Sequence, residues 1–349
     1  MTLRILGQAV QEVVTMSKTW IPKLLMLTAA ALAGGCGLGA RAAKPGGSAP
    51  QKLQVLAFWA NDVTTPLTDL YTHPHAVTDL APFWYSVDAY GGVTAHVNTT
   101  ILSEVQKNHI AVTPLVNDGT GTQAFLNSPV TRVAAARNIA DMVGKMHFQG
   151  VNVDFEPAHT HLVNQLSGFM IDLRDFLPRS DSITMDIVPH SGGAYNYGVL
   201  NREVNQFVLM SYDEHDDGSL EGPVAAMPWV ENILKRLLTM VPASKVDLGI
   251  PLYGYSWPVG STHAATIPYN SVTPTMDRNA QWSTQYQETY ARYNSASGPM
   301  IAWWESLQGM NQKINLAKQD HLAGVALWHI GYANNAVMQL LLHQIGAQP

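Results

Sequence analysis

Phe148-Gln-Gly-Val-Asn-Val-Asp-Phe-Glu-Pro157 alternates strictly through its middle. Val151, Val153 and Phe155 are apolar, while Asn152, Asp154 and Glu156 are polar. Successive side chains on a β-strand point to opposite faces, so the three polar groups share one face. A strand with hydrocarbon on its outer face and two carboxylates plus an amide on its inner one is poor material for a simple core. It suits a catalytic strand. Glu156 comes last, just before Pro157, where the missing N–H makes the strand end or loosen. A carboxyl group at that end is well placed to meet a substrate.

Outward from this segment, β-like runs alternate with helical ones from residue 53 on. The candidate strands are 53–60, 83–88, 111–117, 151–156, 183–189, 206–212, 245–253 and 324–330. Helix-like stretches cover 100–109, 130–146, 161–176, 229–240, 306–321 and 334–345, with Ser128 as cap and Pro129 in the first turn of the second. Eight strands with helical crossovers over about 300 residues predict a (β/α)8 TIM barrel. The alternative is a doubly wound sheet, which wants a Gly-rich phosphate loop after its first strand. The chain after Ala60 reads Asn-Asp-Val-Thr-Thr-Pro instead. The stretch at about 255–302 is too long for a bare loop. It is expected to form a small insertion on the rim, between strand seven and the following helix. The barrel as a whole is assigned to 52–349.

Only 13% of residues are charged, about half the usual ~25%. The polar surface therefore rests on Asn, Gln, Ser and Thr, a pattern common outside the cytoplasm. Residues 1–50 hold five of the 20 basic residues (Arg4, Lys18, Lys23, Arg41 and Lys44) and one of the 26 acids (Glu12). The remainder has 15 bases against 25 acids, a net of −10. Such a body has no electrostatic reason to seek nucleic acid or anionic lipid. Nine Trp and thirteen Tyr suit a sugar-binding cleft, and aromatics also fill ordinary cores.

The single cysteine, Cys36, rules out an intramolecular disulfide. Lys18 and Lys23 precede the apolar run at 24–33, and Gly34-Gly35 lead into Cys36. That is a signal-peptide layout, and the run is short for a transmembrane helix. The small residues before Cys36 resemble the lipobox of bacterial lipoproteins, although Ala33 sits where Leu is usual. Residues 1–36 are thus read as a signal peptide with Cys36 as lipidation site and Met16 as a candidate start. Residues 37–51 read as a flexible tether. The expected location is extracytoplasmic, membrane-anchored or secreted, with the membrane met only through the lipid.

In a barrel of this kind the active site lies at the C-terminal ends of the strands. Those ends carry Asp154 and Glu156, Asp186, Met210-Ser-Tyr-Asp213, Tyr253 and Trp328. Carboxyls do acid/base work on a glycosidic oxygen and an indole stacks on a sugar face. The bland readings are a structural salt bridge for Asp154 and Glu156, core tyrosines for Tyr212 and Tyr253, and a barrel-core Trp328. No Lys or Arg lies beside the two carboxylates in sequence, which disfavours the first. Trp59, Tyr85 and Trp304 are weaker candidates to line subsites. Asp213-Glu-His-Asp-Asp217 can be imagined as a metal site, but adjacent acids on such a loop are usually just solvated.

These elements resemble glycoside hydrolase family 18, the chitinase-like enzymes. Gly150-Val-Asn-Val-Asp-Phe-Glu156 looks like that family's Asp-x-x-Asp-x-Asp-x-Glu signature. Met210-Ser-Tyr-Asp213 resembles its Met-x-Tyr-Asp element. Leu248-Gly-Ile-Pro-Leu-Tyr-Gly254 and Ala326-Leu-Trp328 resemble its seventh and eighth strands. Leu209-Met-Ser-Tyr-Asp-Glu-His215 is similar to the branch of spore-cortex and peptidoglycan-directed hydrolases. The chain departs from the signature at Gln149, where the first Asp is usual, and at Asn152, where the second is.

The resemblance implies a retaining, substrate-assisted mechanism with no metal or organic cofactor. Glu156 would be the general acid, and Asp154 would hold the acetamido N–H of the substrate. Tyr212 would hydrogen-bond the acetamido oxygen. Asn152, Asp186, Asp213, Tyr253 and Trp328 would contact or frame the sugar, with the Asn152 amide donating to Asp154. The implied partner is an N-acetylated polysaccharide, peptidoglycan or another envelope glycan before chitin, cleaved by a monomer. The alternative function is a catalytically silent glycan binder on the same barrel.

Overall fold

The computed structural model describes residues 53–60, 67–156, 160–189 and 193–346. The signal segment, Cys36 and the tether lie outside them. Eight strands, β1 (Gln54–Trp59), β2 (Asp79–Val87), β3 (Leu115–Asp118), β4 (Gly150–Asp154), β5 (Ser182–Ile187), β6 (Gln206–Leu209), β7 (Val246–Pro251) and β8 (Gly324–Trp328), form one sheet. Each pairs in parallel with the next, and β8 pairs with β1 to close the ring. The helices between and after them, apart from the short Pro274–Arg278 within the insertion, are α1 (Thr68–Thr72), α2 (Thr99–Lys107), α3 (Pro129–Met146), α4 (Val163–Phe176), α5 (Tyr197–Glu203), α6 (Met227–Leu237), α7 (Leu307–Gln319) and α8 (Asn335–Ile345). This is the expected (β/α)8 barrel.

The period of two decides the two faces of β4. Val151 and Val153 are buried under the helical layer, together with Phe155 just past the strand. Phe155 meets the rings of Phe125 and Phe169 at 5.2 Å each. Asn152 faces the lumen, in register with Leu115 of β3 and Thr184 of β5. The lower lumen is filled by Leu56, Phe58, Ala81, Leu115, Val208 and Ala326, with Phe83 and Trp328 packed against that plug. Polar groups share the lumen with it: Thr113 donates to Asp79 at 3.0 Å, and Asp247 is buried in register with Val208.

Local chemistry explains where sequence and structure part. Ser128 caps α3 through Val130 N–H, as read from sequence. Helices α1 and α5, five and seven residues long, are too short to display a helical period. The run at 111–117 splits into Ala111–Val112 and β3 around Thr113-Pro114, because Pro114 has no ladder donor. Strand β2 starts at Asp79 rather than at 83, its alternation masked by Asp79 and Pro82. Trp59, Tyr85 and Trp304 are buried: the first two pack in the outer core and the third inside the insertion. They are core residues.

The insertion folds into an antiparallel sheet of five strands, Tyr253–Pro258, Ala265–Pro268, Ala280–Ser283, Glu288–Ser295 and Gly298–Trp304. Buried charges tie it to the barrel. Glu288 accepts the N–H groups of Val224 and Ala225, at 2.8 Å each. Lys313 of α7 pairs with Glu305 at 2.5 Å, both side chains fully covered. Removing one partner of such a pair strands the other charge, at a cost of about 3–5 kcal/mol. Among the described residues no helix is long and apolar enough to cross a membrane.

Candidate active site

Strand β4 stops at Asp154, two residues short of the sequence expectation. Glu156 is therefore held by a loop, and the loop is braced. Gln123, which follows β3 in a left-handed conformation (φ 52°), donates from its side chain to the Glu156 carbonyl at 2.6 Å. Asp118 at the end of β3 fixes that turn by accepting from Gln123 N–H and Thr120 N–H. Sequence reasoning missed Gln123, since nothing in Gly-Thr-Gly-Thr-Gln marks it as a brace.

The exit of β6 sets Tyr212 and Asp213. Ser211, buried, donates to the Gly249 carbonyl at 2.6 Å. Gly249 leaves the room Tyr212 needs: a Cβ there would lie 2.5 Å from the Leu209 carbonyl oxygen and 2.9 Å from the Tyr212 ring. Asp213 takes φ 61°, a conformation that Asp tolerates better than most residues. In it, one carboxyl oxygen accepts the Tyr253 hydroxyl at 2.6 Å and the Tyr255 hydroxyl at 3.0 Å. Tyr253, Tyr255 and Trp257 meet one after another, edge-to-face and then tilted, with centroids 5.6 and 5.7 Å apart. Their period-two spacing in the sequence is the signal that places Tyr255 beside Tyr253 on one face. Trp328 is half-buried, its ring 5.4 Å from Phe58. It packs on both the lumen plug and this aromatic face.

Three of the residues expected to contact or frame the sugar are covered. Asn152, Asp186 and Tyr253 are 0, 3 and 4% exposed, and each is bonded to another polar group. The expected Asn152–Asp154 bond is also corrected. The Asn152 amide donates to Thr184 Oγ1 and to Asp186 Oδ1, both at 2.9 Å. Gln149 sits at the base of the barrel, accepting Val112 N–H at 2.8 Å. The acidic loop does not converge on a point. Glu214 accepts from Ala226 N–H, His215 meets the Leu220 carbonyl, and Asp217 accepts from Ala264 N–H.

The electrostatics is that of crowded acids. Asp154 is pushed well up from the usual carboxylate range by burial, then by Glu156, then by Asp186. Glu156 is raised by burial and then by Asp213. For Glu156 burial is the larger cause, and Asp213 is the anion beside it. Glu156 and Asp213 keep an edge open to the cleft, while the surrounding wall strips most water from them. That open edge argues for a smaller rise at Glu156 than at Asp154. Asp186 reaches about 8, from burial, lowered by the Asn152 hydrogen bond and raised by Glu156. Asp213 reaches about 6, from burial, eased by the two tyrosine hydroxyls.

Burial has a consequence for stability. Asp79 at about 7 and Glu288 at about 8, both raised mainly by burial, join Asp186 and Asp213. Between pH 4 and 8 these groups hold protons in the native state that the unfolded chain has released, so stability falls as pH rises through that window. His329, lowered to about 4 by burial, opposes the trend only below about pH 6.5. Thermal unfolding should give a Tm lower at pH 8.5 than at pH 6.5 by about 5 °C or more. A Tm that is flat or rises over that range refutes the buried-acid account.

Comparison with known proteins adds an independent line. The model of the family "Glycosyl hydrolases family 18" matches residues 57–333. A Bacillus subtilis protein named "Putative sporulation-specific glycosylase YdhD" is 30% identical over 237 residues, 63% of this chain and 56% of the relative. The cortical fragment-lytic enzyme of Bacillus subtilis is 25% identical over 285 residues, 73% of this chain and 65% of the relative. This chain thus spans less than two thirds of the length of either. The crystal structure of a chitinase from Chromobacterium violaceum superposes with TM-score 0.76 at 23% identity, covering 85% of this chain and 100% of that one. That last likeness speaks for the fold.

Proposed function

The chain belongs to glycosyl hydrolases family 18, and from that premise we propose that it cleaves β-linked N-acetylhexosamine glycans with retention, using the substrate's own acetamido group. Peptidoglycan or a related envelope glycan is the first choice of substrate, because the matching relatives carry sporulation and cortex-lytic names; chitin is second. The work is extracytoplasmic, from a chain tethered through Cys36 or released. The observation that carries the reading is the meeting of Asp154, Glu156, Tyr212 and Asp213 at one mouth, linked by their mutual electrostatic effects.

Each group has a chemical task there. Glu156, raised in pKa and open to the cleft, protonates the leaving glycosidic oxygen and later takes a proton from water. The acetamido oxygen attacks the anomeric carbon, forming an oxazolinium ion. Asp154, with one sealed oxygen that has no hydrogen-bond partner, receives the acetamido N–H and offsets the positive charge. Tyr212 aims the acetamido oxygen, and Asp213, fixed by Tyr253 and Tyr255, keeps Glu156 protonated. Trp328 floors the sugar.

The test is product analysis on purified peptidoglycan and on chitin oligomers. Release of soluble N-acetylated fragments supports hydrolysis. Tight binding of the glycans with no fragment released overturns it in favour of a silent binder, a reading favoured only by Asn152 standing where a carboxylate is usual.

A further inference from the structure

We propose that Asp186 is a positioning residue for Asp154: the two carboxyls, neighbours across β4 and β5, share one exchangeable proton. The consequence for turnover rests on the reading above; the shared proton does not.

The geometry comes from the strand register. Asn152 lies opposite Thr184 in the parallel pair β4/β5. Two residues on along each strand, the same face carries Asp154 and Asp186, and adjacent strands run about 4.8 Å apart. Asn152 cannot take up a proton, but its amide grips both Thr184 Oγ1 and Asp186 Oδ1 at 2.9 Å. It therefore fixes the Asp186 carboxyl from below. Asp186 is almost fully buried. Oδ1 of Asp154 is sealed from solvent and lacks a hydrogen-bond donor. A proton on Asp186 supplies one.

The groups acting on this pair are Glu156 beyond β4, Tyr195 beyond β5, Tyr212 beyond β6 and Asp247 on β7, besides Asn152 itself. These are acids, two phenols and an amide; among the described residues no cation joins them. Two buried carboxylates side by side without a cation cannot both ionise cheaply, so one proton stays with the pair. The raised pKa of each agrees with that.

The shared proton solves a problem of timing. Asp154 must be anionic when it accepts the acetamido N–H and when positive charge develops on the oxazolinium. Moving the proton from an Asp154 oxygen to an Asp186 oxygen delivers that anion. One O–H bond breaks and one forms, and the pair keeps a charge of −1 throughout. No other reactant is needed.

The experiment compares wild type, Asp186→Asn and the exchange variant Asn152→Asp/Asp186→Asn. The carboxyl carbons of 13C-labelled Asp are titrated by NMR, and kcat and KM on an N-acetylated oligomer are measured against pH. In wild type, the Asp154 and Asp186 signals should titrate together in two steps. In Asp186→Asn the upper step should vanish. There kcat should fall by about 30- to 100-fold with KM changed less than about threefold, and its alkaline limb should move. The exchange variant, which returns a carboxyl to the strand of Asp154, should regain about tenfold in kcat and an upper titration step.

Independent single titrations in wild type, or an unchanged pH profile in Asp186→Asn, overturn the proposal. An exchange variant no better than the single variant does the same. If no protein turns over the oligomer, the functional reading fails, and the NMR titration still decides the pair. Should Asp186→Asn not fold, Asn152→Asp alone serves. A third carboxyl must push the upper step to higher pH, and an unmoved step overturns the proposal.

Discussion

Glu156→Gln is expected to cut kcat on an N-acetylated oligomer by about 10³-fold or more, since general acid and general base steps each contribute ~10²–10⁴. The amide fills the same space at the mouth and keeps the backbone bond from Gln123, so the site should stay assembled. Glycan affinity should change by less than about threefold, because the lost function belongs to the transition state alone. The glycosidic leaving group is a poor one and leaves only with a proton. Turnover by wild type and variant at the same rate would remove Glu156 from the mechanism.

Asp154→Asn should have the second largest effect, a fall in kcat of about 10²–10³-fold, the size of loss seen when one electrostatic stabiliser is taken from a transition state. The amide oxygen still accepts an N–H, so KM should move by less than about threefold. What disappears is the negative charge beside the developing oxazolinium, in a place where burial makes charge count most. A large loss of affinity with unchanged kcat would make Asp154 a binding group and nothing more.

How much of this was legible in the sequence depends on the range of the interaction concerned. The alternation of Val151, Asn152, Val153 and Asp154 is a local property. It gave the two faces of β4 correctly, because a pleat leaves no other choice once one face is buried. The barrel followed from eight such runs spaced by helices. The insertion followed from a stretch too long to be a loop.

What failed was partner choice across strands. Asn152 and Asp154 lie two apart on one strand and invite pairing, yet the amide turns sideways to Thr184 and Asp186. The reason is register, which no local pattern reports. Tyr253 was expected to contact or frame the sugar, and the bond its hydroxyl donates to Asp213 is one that no local pattern reports. Gln123 was invisible for the same reason, since it acts on Glu156 through 33 residues of intervening chain.

The measurement that tests substrate assistance most directly is the rate on one oligomer with the N-acetyl group at the cleaved sugar, against its twin with a free amine there. A rate ratio of about 10³ or more in favour of the acetylated oligomer is expected, since an amine has no oxygen to attack the anomeric carbon and loses the nucleophile held in place. Comparable rates on the two would mean that the nucleophile is not the acetamido oxygen, and the roles given to Asp154 and Tyr212 would fall with it.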